Sequence, residues 1–228
     1  MVFHKLTHWN VLRMPQHNPL LNVFPEARMA PYHKAGDGFE QAFARYQWNI
    51  RLAEAMLPAL HYLEVSLRNR LNVLICLHYG HDWLVRRPAV LLSEEQNRIL
   101  DDMRDRHLRE KRREPCHDDL VARMSFGFWF AYFHKRFDPI LWHRKKAMET
   151  IFPNLPSERR LRGYIQPKLG AIKDMRNRIA HHEPVWNTTP SLIEVHQTCL
   201  DLIAAMSPVA AERLKQIDRL PQIWRENP

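Results

Sequence analysis

Glycine is scarce, with six in 228 residues. So few positions without a Cβ leave little room for tight turns and favour long helical runs. Cysteine is scarcer still: Cys76, Cys116 and Cys199 are odd in number, far apart and form no C-x-x-C pair, which argues against a disulfide framework or a zinc ribbon. No run of about 18 apolar residues occurs, so nothing reads as a membrane-spanning helix. Met1–Leu6 lacks a basic segment followed by an apolar core, so no signal peptide is visible and a cytoplasmic location is expected.

What is present describes an ordinary folded chain, with 45% hydrophobic and 26% charged residues, and excludes a disordered polyelectrolyte. The net charge of +9, with a pI near 9.7, creates a field that attracts polyanions. That balance permits nucleic acid as a partner without requiring it.

The densest chemistry lies in Asp174–Pro184, which holds Arg176, Asn177, His181 and His182 within seven residues. A cation, an amide and an imidazole together suit phosphate chemistry: a fixed guanidinium fork binds phosphate oxygens, and histidine moves protons near neutral pH. At about 100° per residue, Asn177 and His181 share one helix face, whereas Arg176 lies about 140° around from His181. One straight helix therefore does not aim all three at one phosphate. A distorted last turn, the reach of the arginine, or a second copy of the helix across a dimer axis would be needed. Pro184 predicts that the helix ends near His182. Chance alone produces such spacings in a helical protein with fourteen histidines. Arg68-Asn69-Arg70-Leu71 echoes the motif with Val73 where the histidine would stand.

Arg176-Asn177-x-x-x-His181 resembles the motif of the HEPN superfamily of helical ribonucleases, and His182-Glu183-Pro184 is similar to its abortive-infection (Abi-like) branch. Tyr46-x-Trp48-Asn49, Leu63–Asn69, Met124–Trp129 and Phe152-Pro153-Asn154-Leu155 resemble further segments of that family, in the same order. The resemblance implies an all-α, HEPN-like helical bundle with additional helices, active as a homodimer. It also implies metal-independent RNA cleavage with no cofactor, in a toxin of antiviral defence that is often held in check by an antitoxin protein or an inhibitory RNA.

Along the chain, residues 1–37 carry four prolines and little periodicity and read as an irregular N-terminal arm; 38–228 reads as one helical domain. His4 and His8 are four apart, but no third ligand accompanies them. Phe39, Phe43, Tyr46 and Ile50, then Leu60, Leu63, Leu67 and Leu71, follow helical spacing, with Pro58 expected to kink or divide the run. Glu64 and Arg68 form an i, i+4 pair that is either a solvated bridge or, with Asn69, a support for the site. Ser93-Glu94-Glu95-Gln96 has the spacing of a capping box. The helix it opens runs to about Arg113, ending in Arg109, Lys111, Arg112 and Arg113, which read as a solvated face or an RNA-backbone grip. Asp118-Asp119 opens a helix expected to reach His134. Its aromatic run from Phe126 to Phe130 reads as core or dimer interface, with base stacking as the sharper alternative. A shorter helix is expected over 139–151. The site helix should begin at Ser157 and kink at Pro167, and another should follow Ser191.

If the chain is a ribonuclease, His181 is the candidate general acid/base, Arg176 the stabiliser of charge on phosphorus and Asn177 the positioning amide. His182 is a second proton carrier or a structural residue, and Arg178 an additional RNA contact. Acidic ligands with paired spacing are missing near the site, so no metal is expected. The rival reading is a non-catalytic helical module that binds RNA or mediates dimerisation.

Overall fold

A computed structural model describes residues 19–144 and 146–228. Every regular element is helical and no strand occurs among the described residues, as the scarcity of glycine and the helical periodicity require. The His4/His8 pair and the rest of the arm to Asn18 lie outside the described residues. The chain divides into two compact units, one holding residues up to Gln47 with Pro228, the other Trp48–Asn227.

In the first unit, short helical turns occupy Pro19–Asn22, Glu26–Met29 and Ala30–Tyr32. Aromatic contacts hold them: Tyr46 meets Phe24 at 5.2 Å and Tyr32 edge-on at 5.1 Å, pairs that contribute about 0.5–1.5 kcal/mol each beyond their buried area. Arg45 is buried and engages both the Asp37 carboxylate and the Tyr32 carbonyl. Its guanidinium holds the Asp37 carboxyl below the usual carboxylate range.

Helix α1 spans Phe39–Tyr79 without interruption and carries Pro58 inside it. The expected division at Pro58 does not occur. Ala55, Met56, Ala59 and Leu60 around the proline are all buried, so packing on both sides outweighs the lost hydrogen bond. Leu52, Met56, Leu60, Leu63, Leu67, Leu71 and Leu74 step by four or three and are buried, giving the helix one apolar stripe. Ile50 falls off that stripe and is exposed.

A single helical turn, Trp83–Arg86, precedes α2 (Glu94–Lys111). The capping box that opens α2 is complete: Ser93 Oγ accepts from Gln96 N–H at 3.2 Å, and Gln96 Oε1 accepts from Ser93 N–H at 3.0 Å. Instead of one helix to His134, the chain forms α3 (His117–Arg123) and α4 (Phe126–Phe130). The break comes where Met124 turns extended and Ser125 restarts the helix, its hydroxyl accepting from Phe128 N–H. Phe126, Phe128, Trp129 and Phe130 are buried in the chain's own core, where Trp129 meets Trp83 edge-on at 6.1 Å.

The expected helix over 139–151 is a π-turn at Asp138–Trp142 followed by α5 (Ala147–Ile151). Helix α6 (Arg162–Ala180) carries the candidate site. It begins five residues after Ser157, because Ser157–Arg159 forms only a 3-10 turn. Ile165, Leu169, Ile172 and Met175 are its buried face. Pro167 lies in the second turn without ending the helix. Helix α7 (Leu192–Met206) packs beside α6 and is opened by a second capping box, Ser191 with Glu194. Two shorter helices, α8 (Pro208–Lys215) and α9 (Leu220–Arg225), complete the chain. Trp48 anchors α9 on α1 by donating its indole N–H to the Ile223 carbonyl at 2.7 Å.

Candidate active site

The site is built on the end of α6. His181 is the capping residue, and His182 adopts left-handed backbone with φ +58°. Two hydrogen bonds close this end: His182 N–H donates to the Ile179 carbonyl at 3.1 Å, and Glu183 N–H to the Arg178 carbonyl at 2.8 Å. That pair is the Schellman closure, whose left-handed position usually belongs to glycine. A histidine there costs about 1 kcal/mol of backbone energy, so the turn must be held from outside. Pro184 then prevents the helix from resuming.

Two side chains hold it. Arg178 donates through Nε and Nη2 to the Pro184 carbonyl, at 3.0 and 2.8 Å, and its Nη1 lies 3.4 Å from the Glu183 carboxylate. Asn49, buried on α1, reaches the same turn from the other side. Its Oδ1 accepts from Val185 N–H at 2.7 Å and its Nδ2 donates to the Glu183 carbonyl at 3.5 Å. Three successive residues after the histidines are thus tied to side chains from two helices. Asn49 lies in the Trp48-Asn49 block, and no role for it is legible in the sequence because its partners lie 134 and 136 residues away.

Arg176 and Asn177 are half-buried and touch, Arg176 Nη1 donating to Asn177 Oδ1 at 3.5 Å. His181 is exposed. No hydrogen bond joins its ring to Arg176 or Asn177, so one chain brings together the cation and the amide and leaves the imidazole apart. The spacing places Asn177 with His181 and sets Arg176 apart; here Asn177 instead touches Arg176, because His181 is the capping residue and its backbone has departed from the helix. Two clefts flank α6. One, of about 590 Å³, is bordered by Asp174, Arg178 and Thr188; the other, of about 520 Å³, by Lys173, Phe130 and Gln96. Neither is lined by Arg176, Asn177 or His181. Among the described residues, no three or more His, Cys, Asp or Glu side chains gather to hold a metal ion.

The remaining candidates are dispersed. Arg68 donates to the Ala122 carbonyl at 3.0 Å, and no ion pair joins it to Glu64. Asn69 is exposed one residue on. At the end of α2, Arg113 is bound to Asp119. Arg113, followed by Cys116, holds the Asp119 carboxyl far below the usual range. Arg104 pairs with Glu114 and Arg123 with Glu110, so much of the mixed charge run is cross-linked at the surface. Such exposed pairs add little stability. Arg109, Lys111 and Arg112 are exposed, with no ion pair among the described residues.

A family model described as Abi-like protein matches residues 4–187, covering most of the chain and ending just past the clamped turn. The chain belongs to the Abi-like family. No curated protein and no solved structure matches it. The Abi-like match takes in the whole of α1 to α6, the Asn49 clamp and every candidate catalytic residue. No described helix of this Abi-like chain is long and apolar enough to cross a membrane.

Proposed function

We propose that this Abi-like protein is a metal-independent endoribonuclease of abortive infection, acting as a homodimer with a composite HEPN-type site. The observation that carries the reading is the division of labour at the end of α6. Arg176 and Asn177 form one touching pair, while His181 sits exposed at the cap of the same helix, in a turn fixed by Asn49 and Arg178. A rigid end that presents two incomplete halves is completed by a second copy related by a two-fold axis.

In this mechanism the RNA's 2′-oxygen attacks the adjacent phosphorus and the 5′-oxygen of the next nucleotide leaves. His181 moves the proton, taking it from the 2′-hydroxyl or giving it to the departing oxygen. Arg176 donates to the equatorial oxygens, where charge accumulates, and Asn177 orients Arg176. The products are a 2′,3′-cyclic phosphate and a 5′-hydroxyl. The basic charge of +9 supports RNA as the polyanionic substrate.

Mixing Arg176→Ala with His181→Ala subunits tests the composite centre. Heterodimers that regain cleavage, when neither homodimer cleaves, are expected. Verified heterodimers with no activity would count against it. A role confined to RNA binding predicts instead that wild type binds RNA without cleaving it, whereas the ribonuclease predicts that His181→Ala abolishes cleavage at unchanged affinity.

A further inference from the structure

The second cleft beside α6 has an unassigned chemistry. The buried Phe128 and Phe130 border it, and Lys173 from α6 places its ammonium 5.2 Å from the Phe130 ring centre. Arg136 and His134 also line it: Arg136 donates to Gln96 Oε1 at 3.1 Å, and the His134 ring meets Phe130 edge-on at 5.6 Å. Three basic side chains face one carboxylate, Glu95. The volume of about 520 Å³ lies within the range of small-ligand pockets. Gly127 leaves part of the wall as bare backbone, where an added Cβ would meet only Ser125 Oγ, at 3.7 Å.

Lys173 also ties the cleft to the candidate centre. It precedes Arg176 by three residues and Asn177 by four, so it neighbours each of them on α6 within about 6 Å along the axis.

We propose that this cleft is a nucleotide subsite for the RNA strand, taking a base and flanking phosphate next to the bond cut at Arg176 and His181. The apolar wall of the partly buried Ile99 and Ala131 beside bare backbone suits a base, and Lys173, Arg136 and His134 suit its phosphate. The proposal rests on the ribonuclease reading for its position relative to the cut. RNA occupancy of the cleft itself is measurable without cleavage.

The test is the affinity of the full-length protein for a short fluorescein-labelled RNA bearing 2′-O-methyl groups, which its own 2′-oxygen cannot cleave. Lys173→Glu removes the charge that joins cleft and site, and Gly127→Trp fills the cleft without removing any charge. Both are expected to weaken binding about tenfold or more, with Gly127→Trp retaining the wild-type circular dichroism. Should Lys173→Glu misfold, Gly127→Trp carries the test alone. A folded Gly127→Trp protein that binds within about twofold of wild type overturns the subsite. Loss confined to Arg112→Glu also overturns it and moves the strand to the end of α2. Titration with AMP separates a free mononucleotide from an RNA strand: tight AMP binding, with RNA affinity indifferent to Gly127→Trp, overturns the RNA assignment. The absence of cyclic-phosphate ends from wild-type digests would instead defeat the ribonuclease reading and leave these affinities standing.

Discussion

Asn49 of α1 holds Val185 from 136 residues away, its Oδ1 accepting the Val185 amide proton at 2.7 Å. Because Val185 is the second residue after the His182-Glu183 turn, this bond fixes where the backbone leaves the candidate site. Asn49 therefore holds the backbone that follows His181 and His182.

Replacing Asn49 with alanine strands a buried amide and removes the outer clamp. The expected loss of stability is about 1–3 kcal/mol, measured by urea denaturation. In the ribonuclease assay kcat falls more than KM, since the imidazole is displaced while the RNA contacts remain. Asn49→Asp keeps the acceptor for Val185 but cannot donate to Glu183, and should recover part of the stability. Equal stability of the alanine variant and wild type would contradict the clamp.

His182 supplies the left-handed turn. His182→Gly removes the Cβ penalty at that position and is expected to retain cleavage. His182→Val, whose branched side chain opposes positive φ, should lose about 1–2 kcal/mol. Abolished cleavage in a stable His182→Gly protein would make His182 a proton carrier as well as a turn residue.

Much of this architecture was legible in the sequence where the signal is local. The Ser93-to-Gln96 box and the apolar steps of Leu60, Leu63, Leu67 and Leu71 depend on neighbours a few residues away, and both are present. The offset of about 140° between Arg176 and His181 follows from helix geometry alone, but the contact of Asn177 with Arg176 does not. What escaped depends on distant partners. Pro58 leaves α1 undivided because core packing on both sides overrides a local penalty. The restart at Ser125 splits one expected helix into two. Asn49 acquires its role only when α1 meets the turn after α6. Lys173 was accessible by counting back one turn from Arg176, but nothing local distinguishes it from a solvated lysine.

A pH dependence follows from His196, which is almost wholly buried on α7 with Nε2 3.1 Å from Asp218. Burial pushes the imidazole below its ordinary value, and Asp218 offsets this only in part. The unfolded chain then binds the proton more readily than the folded one. Stability is full above the unfolded value of about 6.5 and is lost as pH falls through the lower folded value. Melting temperature should drop on acidification across that window, and His196→Gln should flatten the drop. An unchanged slope in that variant would remove His196 as the cause.

We propose that the end of α6 cleaves RNA without a metal, through His181. The most direct measurement is incubation of purified wild-type and His181→Ala protein with total RNA in EDTA, followed by chemical identification of the new 3′ ends. Cyclic-phosphate ends generated by wild type and not by His181→Ala are the predicted result. Equal cleavage by both proteins, or RNA left intact by a wild-type protein that still binds it, would contradict the account.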